Sequence, residues 1–280
     1  MKLMMKITLL FATTIGLFTL LLHDKLKLAV PSTPDNVEVL AKLPKEVDES
    51  SGIVAIATGV YLTHNDSRNK PYLYKQTAAG KTLQTIRLNL SNVDWEDITK
   101  DDEGNLYIAD TGNNKNNRQD LAIYKVSLAN PEQVKAIRFS YEDQKEFPPK
   151  EEERNFDSEA LFWDNDKLYL VSKDRGRGET AKLYQLPDEP GSYEAQLIGS
   201  TKLETKVTAA DISPDGKTVV LLGEEELHLF RNYNSVEEFY EGDYEKRDIE
   251  GTGKTEAVAF EEEDVLVITS EGGSIYRHNL

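Results

Sequence analysis

Three glutamates occupy one equivalent position in a repeated pattern and are the residues best suited to chemistry. Glu96, Glu159 and Glu256 each precede a small or acidic residue and then an apolar one, while Asp211 lies one residue later in the fourth copy. Carboxylates gathered round one axis raise one another's pKa or bind a cation, and Ca²⁺ prefers oxygen ligands. We therefore predict a metal site formed by these four residues. The alternative is that they accept backbone N–H bonds that lock neighbouring repeats together.

A second group of polar residues lies at the ends of strands in the same repeats and is predicted to bind a ligand. It comprises His64, Asp66, Asp110, Asn113, Asn114, Lys173, Asp174, Arg175 and Glu271. The basic stretch 173–178 stands out in an acidic chain and suits a carboxylate or a phosphate. The sequence has no nucleophile elbow and no phosphate-binding P-loop, so it assigns no catalytic residue.

These residues belong to an internal repeat of β-strands. An apolar residue, an aromatic residue and a long polar residue recur at 73–75, 123–125, 183–185, 229–231 and 275–277. Two further strand-like runs precede each of these, separated by turn residues such as those at 102–105. A repeat of about 50 residues with four strands is typical of a β-propeller. The sequence predicts an all-β propeller of five four-stranded blades. Six blades are the alternative if a degenerate one lies between Phe139 and Phe156, although residues 142–155 have the composition of a loop.

The last repeat ends at Leu280 after only three strands. A strand-like run at 37–43 precedes the first repeat and is predicted to supply the missing strand. Such closure removes the open sheet edge that would otherwise promote aggregation.

The N-terminus predicts export from the cytoplasm. Lys2 and Lys6 precede an apolar run at 7–22, which is typical of a signal peptide or a membrane anchor. Positive residues favour the cytoplasmic side of a membrane, which leaves the rest of the chain outside the cell or in the periplasm. We expect residues 1–30 to form the anchor and tether, and 31–280 to form one propeller domain. If the signal is cleaved, the protein is secreted.

Composition excludes several classes of function. The formal net charge of −17 disfavours nucleic-acid binding, because phosphate backbones would be repelled. The chain has no cysteine, which excludes disulfides, thiol catalysis and zinc–thiolate sites.

The strand starts resemble those of a known family. They read Trp95-Glu96-Asp97-Ile98, Ser158-Glu159-Ala160-Leu161, Val207-Thr208-Ala209-Ala210-Asp211-Ile212 and Thr255-Glu256-Ala257-Val258. Together with an N-terminal anchor, this order resembles the SdiA-regulated β-propeller proteins of bacteria and the wider group related to NHL-repeat and phytase-like proteins. The resemblance covers most of residues 45–280. It implies an extracytoplasmic propeller, often with bound Ca²⁺, and no single reaction.

Two functions, besides a purely structural interaction protein without metal, therefore stay open at the level of sequence. The first is a membrane-anchored module that holds a divalent cation and binds a small molecule, a glycan or an envelope protein. The second is a metal-dependent hydrolase of a lactone or a phosphoester, as the resemblance to gluconolactonase-like and phytase-like propellers implies. In the second, Asp110 or Asp174 is the base, and Lys173 or Arg175 orients the anion.

Overall fold

The computed structural model describes residues 37–280, in which strands make up nearly all the regular structure. The strands are β1 (Val37–Lys42), β2 (Ser50–Ala57), β3 (Val60–Asn65), β4 (Tyr72–Thr77), β5 (Thr82–Arg87), β6 (Trp95–Lys100), β7 (Asn105–Asp110), β8 (Ala122–Ser127), β9 (Asn130–Tyr141), β10 (Asp157–Asp164), β11 (Lys167–Lys173), β12 (Thr180–Pro187), β13 (Gly191–Lys202), β14 (Ala209–Ile212), β15 (Thr218–Gly223), β16 (Glu226–Arg231), β17 (Asp243–Asp248), β18 (Thr255–Glu262), β19 (Val265–Ser270) and β20 (Ser274–Asn279). Short 3₁₀ helices lie at Lys45–Val47, Glu151–Glu153 and Val236–Glu241.

The strands form consecutive antiparallel meanders. Three sheets have four strands each, in the orders β2-β3-β4-β5, β14-β15-β16-β17 and β1-β20-β19-β18. The remaining sheet has eight strands, because β9 and β13 extend beyond their hairpins and pair in parallel over Ile137–Tyr141 and Gly191–Ala195. The sequence did not predict this joining of two meanders. The chain from 142 to 156 has no strand, so a hidden blade does not lie there.

β1 takes the position predicted for it at the edge of the last meander. It pairs antiparallel with β20, from Val37 opposite His278 to Lys42 opposite Ser274.

The burial of a strand depends on its position within the meander. The second strand β15 is buried along its whole length, whereas the outer strand β5 exposes most of its side chains. Middle strands are covered on both faces and are therefore mainly apolar, whereas the outer strands expose part of their side chains to solvent.

The first strands of the meanders surround one axis. β2 contacts β6, β6 contacts β10, β10 contacts β14, β14 contacts β18, and β18 contacts β2. This closed ring brings the starts of five strands into a small volume, where their polar side chains must meet.

Buried carboxylates join the sheets to one another near this axis. Asp97 is fully buried, and its carboxylate accepts N–H bonds from Leu161 at 2.9 Å and from Ala210 at 3.4 Å. Asp211 similarly accepts the N–H of Phe260 at 2.7 Å. The bonds that lock the repeats therefore come from these aspartates, and not from the glutamates at the preceding position.

Second-strand tyrosines form another set of connections farther out. Tyr61, Tyr107 and Tyr169 each donate a hydroxyl hydrogen bond to a carboxylate from a different meander. The acceptors are Glu261 at 2.8 Å, Asp188 at 2.8 Å and Glu237 at 3.3 Å, respectively. A buried hydroxyl needs such a partner, so these bonds fix how the sheets pack.

Replacing Asp97 tests whether the hydrogen bonds of its carboxylate hold the meanders together. We expect Asp97→Ala to lower the free energy of unfolding by about 2–4 kcal/mol, because it leaves the N–H groups of Leu161 and Ala210 without an acceptor. Urea unfolding of the full chain measures this, with Asp102→Ala at an exposed turn as the control. Equal stability of the two variants would show that Asp97 does not hold the sheets together.

Candidate functional site

A cavity of about 680 Å³ lies at the end of the axis where the first strands begin. Its walls combine the starts of first strands with loops that follow second strands. The lining includes acidic residues from every side and basic residues from 173–177, 206 and 254. Most of its polar groups are side chains, so the site is suited to charged ligands.

Backbone bulges aim the predicted glutamates into this cavity. The strand register breaks between Ser50 and Gly52, between Trp95 and Ile98, between Ser158 and Ala160, and between Thr255 and Ala257. The breaks fall at Ser51, Glu96, Glu159 and Glu256, all of which line the cavity. A bulge inserts an unpaired residue and redirects its side chain.

Asp211 does not join the other predicted metal ligands. β14 pairs with β15 in unbroken register from Ala209 to Ile212, so it has no bulge at this point. The carboxylate of Asp211 instead bonds to Phe260 and lines a different cavity, of about 900 Å³. The prediction of a four-carboxylate ring is wrong in this respect.

Three carboxylates converge on one side of the first cavity. Single oxygens of Asp66, Asp94 and Glu96 lie within 4.8 Å of one another. Glu96 is only 7% exposed, yet among residues 37–280 its carboxylate accepts no hydrogen bond and forms no ion pair. Burial, together with the charges of Glu159, Asp157, Asp66 and Asp94, raises the pKa of Glu96 well above its usual range. Burial, and next the charge of Asp66, raises the pKa of Asp94 to about 6.

Gly112 makes room for this acidic group. A Cβ atom at this position would lie 2.1 Å from Glu96 Oε1 and 2.4 Å from Asp94 Oδ2. No other amino acid could therefore occupy position 112 without moving both carboxylates.

The neighbouring carboxylates are neutralised by protein cations. Lys173 forms an ion pair with Glu159, and Arg175 bridges Glu159 and Asp157, with a distance of 2.5 Å from its Nε to Asp157 Oδ2. Arg175 Nη2 also donates to Asn114 Oδ1 at 2.5 Å. Burial and the charge of Asp157 raise the pKa of Glu159, and Lys173 and Arg175 oppose the shift. Asp157 and Glu159 approach Glu96 closely enough to share a cation, but their partners already occupy them.

Glu256 is paired in the same way on the far side of the cavity. Lys254 Nζ lies 2.8 Å from Glu256 and also contacts Glu271. Of the three predicted glutamate ligands, only Glu96 therefore forms no ion pair within residues 37–280.

Several predicted ligand-binding residues lie behind the cavity wall. His64 is fully buried, with its ring edge against Trp95, and burial lowers its pKa to about 4. Asp110 accepts hydrogen bonds from Arg118 at 2.9 Å and from the Asp94 N–H at 3.2 Å.

The side chains of Asn113 and Asp174 hold loops in place. Asn113 Oδ1 accepts the N–H groups of 117 and 118, and Asp174 accepts four N–H bonds from its own loop, at 176, 177, 179 and 180. By contrast, the structure places Asp66, Asn114, Lys173, Arg175 and Glu271 in the cavity.

Sequence reasoning did not assign Asp94 as a ligand, although a signal exists. Asp94 lies two residues before Glu96, and residues two apart in an extended chain point to the same side. Gly112, in the loop after β7, could only be recognised from its contacts.

Comparison with known proteins identifies the architecture but not a family. No protein-family model and no curated protein matches the chain. Among solved structures, the PQQ-bound aldose sugar dehydrogenase from Streptomyces coelicolor is similar over 89% of this chain and 99% of that one, with a TM-score of 0.51 and 11% identity. A protein of unknown function from Bacteroides thetaiotaomicron covers 87% of this chain and 75% of its own, with a TM-score of 0.48 and 8% identity.

The virginiamycin B lyase from Staphylococcus aureus is also similar, over 85% of this chain and 68% of its own, with a TM-score of 0.42 and 14% identity. At such identities only the fold is shared. The fold is a β-propeller. No helix among residues 37–280 is long and apolar enough to cross a membrane, and the predicted anchor at 1–30 lies outside the described residues.

Substitution of Gly112 tests whether the acidic group is a binding site. We expect Gly112→Ala to weaken divalent-cation binding about tenfold or more, because the added methyl group displaces both Glu96 and Asp94. Calorimetric titration with Ca²⁺ measures the effect. Gly216→Ala is the control: nothing lies within 4 Å of its added Cβ, although its φ of +69° causes some strain. Unchanged affinity in Gly112→Ala would place the cation elsewhere.

The half-buried carboxyl of Asp211 predicts a pH dependence of stability. Burial raises its pKa to about 6 in the folded chain, against 3.8 ordinarily, so the native state loses stability as pH rises between these values. We therefore expect wild type to lose more stability than Asp211→Asn between pH 4 and pH 7. The free energy of unfolding of Asp211→Asn minus that of wild type should increase by about 1–3 kcal/mol over this range. Urea unfolding at both pH values tests this. A difference independent of pH would mean that the carboxyl ionises normally.

Proposed function

We propose that this propeller binds a divalent cation through Asp66, Asp94 and Glu96 and uses the surrounding cavity to bind a ligand. The observation that carries the proposal is the buried carboxylate of Glu96, which has no hydrogen bond and no ion pair within residues 37–280 and lies beside two further carboxylates. An isolated buried charge is costly unless it is paired or coordinates a metal. Gly112 leaves the space that the carboxylates of Glu96 and Asp94 occupy, since a Cβ atom there would overlap both.

The chemistry of the donors favours Ca²⁺. All three side chains offer oxygen, and the cavity also presents the hydroxyl groups of Ser51 and Ser67. Ca²⁺ accepts six to eight oxygen ligands in irregular arrangements and tolerates water among them. Mg²⁺ requires a near-octahedral set and releases its water reluctantly, so it fits a wide cavity less well.

We place this module outside the cytoplasm. The ring of five first strands supports five blades, with the two halves of the eight-stranded sheet counted as separate blades. The resemblance to the SdiA-regulated propellers and the N-terminal segment support a membrane-anchored, extracytoplasmic protein. Its partner in this proposal is a small molecule, a glycan or an envelope protein.

The hydrolase alternative receives less support from the geometry. It requires a free base near the cation, and Asp110 and Asp174 are the predicted ones. Asp110 is bound to Arg118, and Asp174 is surrounded by the N–H groups of its loop. Neither carboxylate lines the cavity. Binding without turnover is therefore the function we favour.

Thermal unfolding with Ca²⁺ tests the proposal. Binding at one hundred times the dissociation constant stabilises the native state by about 2.7 kcal/mol, which raises the melting temperature of the full chain. We expect Glu96→Gln to abolish this rise. The same variant should be more stable than wild type in chelator at pH 7, because a neutral amide replaces an unpaired buried charge.

Glu271→Gln is the matched control, since Glu271 lines the same cavity but is paired with Lys254 and half-exposed. It should retain the response to Ca²⁺. A Ca²⁺ response that survives in Glu96→Gln would refute the assignment, as would no response in wild type.

A further inference from the structure

The basic groups of the site lie on one side of it. Asp66, Asp94 and Glu96 come from the meanders of β2–β5 and β6–β9, and no basic residue from those meanders lines the cavity. All the basic residues that line it come from the other side: Lys173, Arg175, Arg177, Lys206 and Lys254. Acidic residues of that side, such as Glu159 and Glu256, line the cavity as well, so a ligand meets only negative charge at one end and mixed charge at the other.

Two of these basic side chains are free to bind a ligand. Lys173, Arg175 and Lys254 are engaged by protein carboxylates. Among residues 37–280, the side chains of Arg177 and Lys206 form no ion pair and no hydrogen bond. In a chain with 50 acidic and 33 basic side chains, unpaired cations beside an acidic cavity are unexpected.

The two free cations come from two loops that both line the cavity. Arg177 lies between β11 and β12, and its backbone is held by the carboxylate of Asp174, which accepts its N–H at 3.1 Å. Lys206 lies between β13 and β14 and approaches Gly178, where an added Cβ atom would lie 3.6 Å from Lys206 Cε. Since both residues line one cavity, both side chains can contact one anionic group bound in it.

We propose that the ligand is a small organic monocarboxylate, whose carboxylate is held by Arg177 and Lys206 while the molecule extends towards the cation at Asp66, Asp94 and Glu96. This rests on the proposed function. A guanidinium matches the planar carboxylate with two parallel hydrogen bonds. The cavity, at about 680 Å³, has room for a metabolite-sized molecule.

The net charge of the cavity selects this class over phosphate. Its lining holds nine acidic residues and five basic ones, an excess of four negative charges. The cation offsets two of them. The two negative charges that remain repel a dianionic phosphate about twice as strongly as a singly charged carboxylate, so two free cations offset the repulsion of the carboxylate more readily.

Calorimetry with two probe anions tests the inference. We expect lactate to bind the full chain when Ca²⁺ is saturating, more tightly than inorganic phosphate does, and to bind at least tenfold more weakly in chelator. The double substitution Arg177→Gln, Lys206→Gln should weaken lactate binding about tenfold or more without changing Ca²⁺ affinity. Lys217→Gln, at an exposed turn outside the cavity, is the control and should bind lactate as wild type does.

The outcomes separate this inference from the proposed function. If Ca²⁺ binds but lactate does not, or if the double variant binds lactate as wild type does, the carboxylate site is refuted and the cation site stands. Tighter binding of phosphate would refute the monocarboxylate class. If Ca²⁺ itself does not bind, the proposed function fails and this inference fails with it.

Discussion

The structure depends on one buried carboxylate at the axis, that of Asp97. It accepts backbone N–H groups from the first strands of two later meanders, so three meanders are held at fixed positions around it. Its pKa is raised by burial, and the N–H groups of Leu161, Ile98 and Ala210 oppose that shift. Without these hydrogen bonds, the starts of the first strands would not be held in fixed positions, and the shape of the cavity that they line would not be fixed.

The position of Glu96 follows from that constraint. Asp97 is held on the axis, and the bulge in β6 directs the preceding side chain into the cavity. The glutamate is then buried beside Asp66 and Asp94 without an ion pair in the part of the chain that the structure describes, while the equivalent Glu159 and Glu256 have Lys or Arg partners. Equivalent positions in the repeats therefore differ in charge: one part of the cavity has unpaired carboxylates, and another has basic side chains without an ion pair. In the proposed function, this difference makes Glu96, and not the paired glutamates, a ligand of the cation.

Features of the fold that depend on local sequence pattern could be predicted from the sequence. Alternating apolar residues and turn residues predicted the strands, and the repeat predicted the propeller and the place of β1. The position shared by Glu96, Glu159 and Glu256 predicted that these side chains would line one cavity. Pairing of β9 with β13 was not foreseen, because it depends on contacts between residues about 54 positions apart and not on either strand alone. Asp211 was misplaced because the sequence does not show which first strands carry a bulge.

The functions of individual polar residues were the hardest to predict. Three residues have the amino-acid types and strand-end positions of ligand-binding residues but bind other parts of the protein. Asp110 accepts a hydrogen bond from Arg118, and Asn113 and Asp174 accept hydrogen bonds from backbone N–H groups of their own loops. Only three-dimensional contacts separate a carboxylate that caps a loop from one that is free. The same contacts single out Gly112, which has no sequence pattern that marks it as part of a site.

The most direct test of the central claim is a crystal structure of the full chain grown with Ca²⁺, with anomalous scattering used to locate the ion. The account predicts one ion bound by oxygens of Asp66, Asp94 and Glu96 at about 2.3–2.6 Å, with Arg175 still bridging Asp157 and Glu159. An ion between Glu96, Asp157 and Glu159 with Arg175 displaced, or no ion in the cavity, would contradict it.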